Sequence, residues 1–359
     1  MANRCDLEGP RAPRRDELDA VLDLVNNAFN PVGRTMGLEF PQLLSDANLA
    51  RLRVLVDPRT QLPVAHAGYV RCELAIEGGR IPVAGLGSVC TEQSYRGMGL
   101  ASELVESIMQ QAVAEGLVMM LISGGSNVYR RLGAADTGEF LRAEANREQI
   151  SNLREAAIDW PLHSGAAIRP ASEDDIPAMA SIYRREPVRY VRSLSGFREL
   201  FWRQPDVKRL GSLERTWVGG LGGGSLAYVI ARIRTADDGA VRLHVAEFAG
   251  ARWCALQLIA HACSEYDPDL FTITVPASDL ETATLLHQAG LTLHRVGLLG
   301  HTVMSLDDRA LLKCVCPIMS ERYGADWTAP GPPPAGPELI HWLFSDLGIP
   351  LPVPGLNYV

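Results

Sequence analysis

The residues of this 359-residue chain best placed for chemistry lie in the stretch Gly87-Ser-Val-Cys-Thr-Glu-Gln-Ser-Tyr-Arg-Gly-Met-Gly-Leu-Ala-Ser. The apolar run Ala84–Thr91 reads as a strand. A loop then leads into Arg96, Gly97, Met98, Gly99, Leu100 and Ala101. A helix over about 97–115 follows, because Leu100, Leu104, Ile108 and Ala112 recur every four residues. Glycines at 97 and 99 let the backbone approach a ligand closely and turn successive amide hydrogens outward. The first amides of a helix lack intrahelical acceptors and sit at the positive end of its dipole, so they favour an anion. Arg96 adds a planar charged fork. Such a nest suits a pyrophosphate. It is not a Walker loop, because no Gly-Lys-Ser/Thr follows, and not G-x-G-x-x-G, because residue 102 is Ser.

A second element follows about thirty residues on. Leu121-Ile-Ser-Gly-Gly-Ser-Asn-Val-Tyr-Arg-Arg-Leu-Gly places a strand end, Asn127 and Tyr129 before Gly133. The two elements together resemble the GNAT acetyltransferases, whose signature at a strand-to-helix turn is Arg/Gln-x-x-Gly-x-Gly/Ala. Arg96, Gly99 and Ala101 fill it. The resemblance implies that acetyl-coenzyme A is held by Arg96, Gly97, Met98, Gly99, Leu100, Ala101 and Ser102, with Asn127 near the pantetheine arm. It implies that backbone groups of Val89 and Thr91 pair with the pantetheine as with an added strand. The same strand presents an amide hydrogen to the thioester carbonyl. Tyr129 becomes the general acid: a phenol near pKa ~10 can protonate, or hold by a hydrogen bond, a leaving thiolate whose acid has pKa ~8.5. The bland alternative for Tyr129 is a half-buried helix residue with its hydroxyl on water.

The elements that must carry these residues occur twice. Arg11-Ala-Pro-Arg-Arg-Asp-Glu-Leu-Asp-Ala-Val runs parallel to Arg169-Pro-Ala-Ser-Glu-Asp-Asp-Ile-Pro-Ala-Met. In both, an arginine ends an extended piece and acids gather at a helix start. Strands are expected at 51–56, 64–76, 80–91 and 118–122, with a short helix at 127–132 and a connecting helix at 145–158. The second copy gives strands at 216–218, 226–233, 241–248 and 270–275 and helices at 252–264 and 280–289. Its Gly219–Gly224 run reads as a β-turn, because strand and not helix follows. A helix over 308–323, a Pro/Gly linker and a last helix opening with Pro337 complete the chain. The order is α/β (α+β): two tandem GNAT-like domains, mixed central sheets flanked by helices, and a short C-terminal helical and extended segment. The expected boundaries are 1–150, a linker at 151–166, 167–306, and a C-terminal extension at 307–359 with a docked tail.

The second copy lacks the loop. Val245-Ala-Glu-Phe-Ala-Gly-Ala-Arg-Trp-Cys-Ala holds one glycine and no signature, and Leu286 stands four residues before Gly290 where Tyr129 stands four before Gly133. One live and one degenerate copy resemble the Eis-type acetyltransferases (enhanced intracellular survival), in which the active copy comes first. That resemblance implies the terminal carboxylate, here on Val359, as catalytic base. Glu92, His66 through water, and solvent are the alternatives, since no Asp or Glu lies on strand Ala84–Thr91. Cys90 reads as a core thiol, because no histidine partner is evident in the sequence.

Composition bounds the partners. A net charge of −8 argues against a nucleic-acid binder and is compatible with a cationic amine. Seven scattered cysteines and eight dispersed histidines form no metal-ligand spacing, so no metal is expected. No signal peptide or membrane span is read, and the expected location is the cytoplasm. The expected acceptor is a primary amine of a small molecule or peptide, and homo-oligomerisation is left open. A competing reading from another class is a non-catalytic acyl-CoA sensor; Tyr129 favours chemistry, because a sensor needs the loop but not the acid.

Overall fold

The computed structural model describes residues 6–159, 167–201, 212–221, 224–236, 238–298, 300–324, 327, 331–354 and 357. The chain divides into two units, Met1–Thr137 with Leu298–Ile349, and Gly138–Gly297 with Pro350–Asn357.

The first unit opens with β1 (Glu8–Arg11), α1 (Leu18–Phe29), the single turn α2 (Met36–Glu39), β2 (Leu52–Asp57), β3 (Leu62–Ile76) and β4 (Gly79–Thr91). These four strands are antiparallel neighbours in chain order. β3 and β4 form a hairpin about Glu77 and Gly78, whose φ angles of 45° and 87° give the turn that matches strand twist. Next come α3 (Leu100–Ala114), β5 (Met119–Ser123) and α4 (Asn127–Arg131). β5 lies parallel to β4, and a parallel neighbour needs a crossover, which α3 supplies. Leu100, Leu104, Val105, Ile108 and Ala112 of α3 pack on Ala65, Ala67, Tyr69, Ala84 and Leu86. The opposite face of the sheet is closed by Val21, Leu24 and Val25 of α1 against Val54, Val56 and Val70. Full burial of each large side chain is worth about 1.5–3 kcal/mol, which fixes both helices to the sheet.

The second unit contains β6 (Phe140–Asn146), α5 (Arg147–Asp159), β7 (Ala167–Pro170), α6 (Ile176–Tyr183), β8 (Val188–Tyr190), α7 (Leu194–Phe201), β9 (Ser212–Leu221), β10 (Gly224–Thr235) and β11 (Val241–Gly250). It continues through α8 (Arg252–Tyr266), β12 (Leu270–Pro276), α9 (Leu280–Gln288) and β13 (Leu293–Val296). Its sheet order is β13-β6-β12-β11-β10-β9-β7. The run β7-β9-β10-β11, the crossover α8 and the parallel strand β12 repeat the run β1-β2-β3-β4, α3 and β5 of the first unit. Of the glycine run, Gly219 and Gly220 lie within β9 and Gly224 opens β10, pairing with Leu221, while 222 and 223 lie outside the described residues.

The chain then returns to the first unit with β14 (His301–Ser305), α10 (Asp308–Tyr323) and α11 (Gly336–His341). β14 lies antiparallel to β5. Ile318 of α10 packs so closely on Gly79 that a Cβ there would stand 2.4 Å from Ile318 Cγ1.

The expected boundaries at 150 and 306 are therefore corrected. Each copy gives its next strand to the other unit's sheet: β6 pairs with β12 and β14 with β5. Residues 151–159 are not linker but the rest of α5, packed on α8, while 160–166 lie outside the described residues. Residues 307–359 are not a separate extension either. α10 and α11 belong to the first unit, and Pro350–Asn357 to the second. β6 escapes a sequence reading because Phe-Leu-Arg-Ala-Glu-Ala-Asn carries no β-branched residue.

Candidate active site

In the first unit β4 and β5 pair only from Val83 to Leu86 against Met119 to Ile122, and beyond that point no pairing joins them. Gly87 to Thr91 thus leave β4 with an edge that β5 does not cover. Here β4 is irregular as well. His66 pairs with Cys90 and Gly68 with Gly87, so Ser88 and Val89 together face the single residue Ala67. That is a β-bulge, a device that re-aims backbone groups near functional sites. Ser88 takes φ 50°, a left-handed conformation uncommon for a residue with a Cβ. The side chain of His66, fully buried, places Nδ1 2.9 Å from the Ser88 carbonyl oxygen. A carbonyl only accepts, so Nδ1 carries the proton and Nε2 the lone pair. Nε2 is buried with no hydrogen-bond partner among the described residues. Burial lowers this imidazole to about 4, so it stays neutral near pH 7.

The turn into α3 has the form of an anion seat. Gly97 and Gly99 take φ 81° and 78°, and a Cβ built on either meets nothing within 4 Å. Gly99 is the N-cap of α3, and the first intrahelical bond is Glu103 N–H to the Gly99 oxygen. The amides of Leu100, Ala101 and Ser102 precede that bond and are left for a ligand. Arg96 is exposed beside them and its Nε donates to the Thr91 oxygen at 3.2 Å, tying the loop to the end of β4. Tyr95 donates to Asp57 Oδ2 at 2.6 Å and anchors the same loop on β2. Open space at both glycines and unclaimed helix amides fit the phosphates of coenzyme A.

Tyr129 sits on α4, which is capped by Ser126 accepting from the Val128 amide. Its side chain is 7 % exposed. Burial, with the Cys90 sulfur near enough to add to it, pushes the phenol up to about 12. The phenol therefore stays protonated, and its ring packs in the cluster that also holds Val89 of β4. Asn127, at the start of the same helix, is exposed. Cys90 stands across the strand pair from His66, a neighbour the sequence does not reveal, yet Nδ1 of that histidine is engaged by Ser88. Burial raises the Cys90 thiol to about 12, which keeps it protonated and a poor nucleophile. Glu92 is exposed and accepts from the Ser94 hydroxyl. Val359 lies outside the described residues. The structure thus brings Val89, Thr91, Arg96 to Ser102 and Tyr129 around one end of β4, with Asn127 at the head of the helix that carries Tyr129.

The second unit keeps the architecture but fills the seat. β11 pairs with β12 only from Arg242 to His244, and a register shift between Ile230 and Ala231 leaves Ala246 as the extra residue. A cavity of ≈ 720 Å³ lies there, lined among others by Glu247, Phe248, Arg252, Asp279 and Pro352. At the head of α8, where an anion would sit, the chain supplies its own. Glu186 accepts from the Gly250 amide at 2.8 Å and from both terminal nitrogens of Arg252 at 3.0 and 2.6 Å. Arg252 Nε also meets Asp279 at 3.0 Å. Sequence reading had no signal for this carboxylate, which stands 64 residues before Gly250. Leu286, at the position of Tyr129, is fully buried.

Comparison with known proteins gives the same reading. Residues 10–136 match the family described as acetyltransferase (GNAT) domain. That segment is a GNAT acetyltransferase domain. It falls within the first unit, and the enzyme class it supports is N-acetyltransferase. No curated protein matches the sequence. Solved structures share the fold of this chain. A GCN5-related N-acetyltransferase from Anabaena variabilis superposes with TM-score 0.62 at 15 % identity, covering 82 % of this chain and 72 % of that one. Eis1 from Mycobacterium abscessus gives 0.57 at 16 %, covering 86 % and 75 %. N-myristoyltransferase from Saccharomyces cerevisiae with bound myristoyl-CoA gives 0.53 at 11 %, covering 84 % and 82 %. Among the described residues no helix is long and apolar enough to cross a membrane, and no group of three or more His, Cys, Asp or Glu could hold a metal ion.

Proposed function

We propose that the first unit of this protein transfers an acetyl group from acetyl-coenzyme A directly to a primary amine of a small molecule or peptide. One observation carries the reading: the glycine nest opening α3 and the buried Tyr129 flank the same unpaired end of β4. Acetyl-CoA supplies an acyl group activated as a thioester. Arg96 and the amides of Leu100, Ala101 and Ser102 hold its phosphates, and Gly97 and Gly99 leave room for them. Val89 and Thr91 offer backbone groups to the pantetheine, and Asn127 a side-chain amide. Tyr129 keeps its proton and offers it to the departing sulfur. A phenol held near 12 transfers that proton uphill to a thiolate of conjugate-acid pKa ~8.5, so the hydrogen bond itself is its main contribution.

The test is a thermal-shift titration with acetyl-CoA on wild type, Gly99→Glu and Tyr129→Phe, followed by free-thiol release with a panel of amines. Saturation at ~100 times Kd adds about 2.7 kcal/mol and moves the melt. Gly99→Glu puts a side chain at positive φ and a charge in the seat, and should abolish the shift. Tyr129→Phe should keep the shift and lose about a hundred-fold in turnover. No shift in wild type would exclude the acyl-CoA reading; equal turnover for Tyr129→Phe would remove the role of the phenol.

A further inference from the structure

We propose that His66 is a positioning residue for acyl transfer: by holding the Ser88 carbonyl it orients the Ser88–Val89 peptide so that the Val89 amide hydrogen faces the acyl group. The argument begins with the bulge. Ser88 and Val89 face one residue of β3, so the ladder does not dictate the direction of the peptide between them. The left-handed φ of 50° at Ser88 carries a strain of about 1–2 kcal/mol, which a surrounding contact must offset. His66 Nδ1 supplies that contact at 2.9 Å, and the Ser88 hydroxyl lies 3.3 Å from the same nitrogen.

The consequence follows from the planarity of a trans peptide. Its carbonyl oxygen and the next amide hydrogen point in opposite directions. The Ser88 oxygen points at the imidazole of His66, a residue of β3, the strand on one side of β4. The Val89 hydrogen then points away from the imidazole, toward the edge where β4 has left β5. That is the edge along which the proposed ligand lies. A donor fixed before the ligand arrives needs no reorganisation as negative charge grows on the acyl oxygen. The imidazole is enclosed on all sides, which fixes the ring. This inference rests on the acyl-CoA reading of the first unit, and it differs from a base role for His66, which would use Nε2 rather than Nδ1.

The two nitrogens can be tested separately. An asparagine amide can reach the place of Nδ1, and a glutamine amide the place of Nε2. His66→Asn, His66→Gln and His66→Phe are compared with wild type by acetyl-CoA affinity, by the carbonyl stretching frequency of bound carbonyl-labelled acetyl-CoA, and by thiol release. The expected result is a lowered carbonyl frequency in wild type, lost in His66→Gln and His66→Phe and restored in His66→Asn. Affinity should stay within about three-fold throughout. Turnover should fall about ten-fold or more where the frequency shift is lost. If His66→Phe does not fold, the Asn and Gln variants decide the matter. An unchanged frequency in the Gln variant would overturn the proposal, as would recovery by Gln but not by Asn. Failure of wild type to bind acetyl-CoA would overturn the acyl-CoA reading and this inference together, whereas normal binding with an unmoved frequency would overturn only the role of His66.

Discussion

Tyr129 shows how burial sets the working range of a single side chain. Its phenol is raised to about 12 because the ionised form would lose solvent beside a buried sulfur. The sign of the pH effect follows. A raised phenol pKa keeps the proton on, so a phenol in the proposed donor role remains protonated through the interval in which an ordinary tyrosine near ~10 ionises. Turnover at saturating acetyl-CoA should therefore show no descending alkaline limb from this group between about pH 8 and 11. A rate that falls with an apparent pKa near 10, and loses that limb in Tyr129→Phe, would mean that the phenol is not desolvated in the working complex. The residue-scale features also differ in how far the sequence exposes them. Gly97 and Gly99 are legible because a nest is built from adjacent residues. The Ser88 bulge and its pin are not, since His66 is 22 residues away on another strand and no local pattern joins the two.

At the scale of elements, the repeated opening is a repeated clamp. Arg11 closes β1 and forks onto Glu17 with two bonds of 2.7 Å, and Arg169 in β7 forks onto Asp175 at 2.7 and 2.6 Å. In each case the carboxylate also accepts a backbone amide, from Arg14 at 2.6 Å and from Ser172 at 2.8 Å. The parallel between the two segments was visible in the sequence as an arginine followed by acids; the six-residue spacing is what makes it a fork. Hydrogen bonds from Arg11 and the amide of Arg14 hold Glu17 down at about 2, against an ordinary 4.5. A lowered carboxylate contributes stability that is present above the unfolded value and is lost as pH falls through the folded one. Glu17→Gln should cost about 2 kcal/mol at pH 7 by urea unfolding. The difference from wild type should shrink steadily as pH drops from 4.5 toward 2. A difference constant over that range would show that the clamp acts by shape and not by charge. Strands rich in branched residues, such as β10 and β11, were equally legible. The exchange of β6 and β14 was not, because strand pairing over such separations follows from complementary edges and leaves no periodicity in the sequence.

For the whole molecule, the question is whether a fold made twice offers one anion seat or two. Both units retain a bulged strand that parts from its parallel neighbour and leads toward a crossover helix. They differ at the head of that helix. In the first unit the seat is lined by glycines that leave space, with helix amides unclaimed. In the second, Glu186 already accepts from the Gly250 amide and Arg252, so the guanidinium and one amide beside the helix start are taken by a carboxylate of the same sign as a pyrophosphate. Two like charges about 4 Å apart repel by about 4 kcal/mol at an effective dielectric near 20, which is about a thousand-fold in affinity. Titration calorimetry on wild type should therefore give one acetyl-CoA per chain. Gly99→Glu should reduce this to none, because no second seat is left to bind. Retention of one molecule by Gly99→Glu would place a working site in the second unit and would mean that Glu186 yields to the ligand. Glu186→Gln then distinguishes the cause: a carboxylate that excludes the pyrophosphate predicts new binding in the double variant Gly99→Glu, Glu186→Gln. A seat closed by shape alone predicts none.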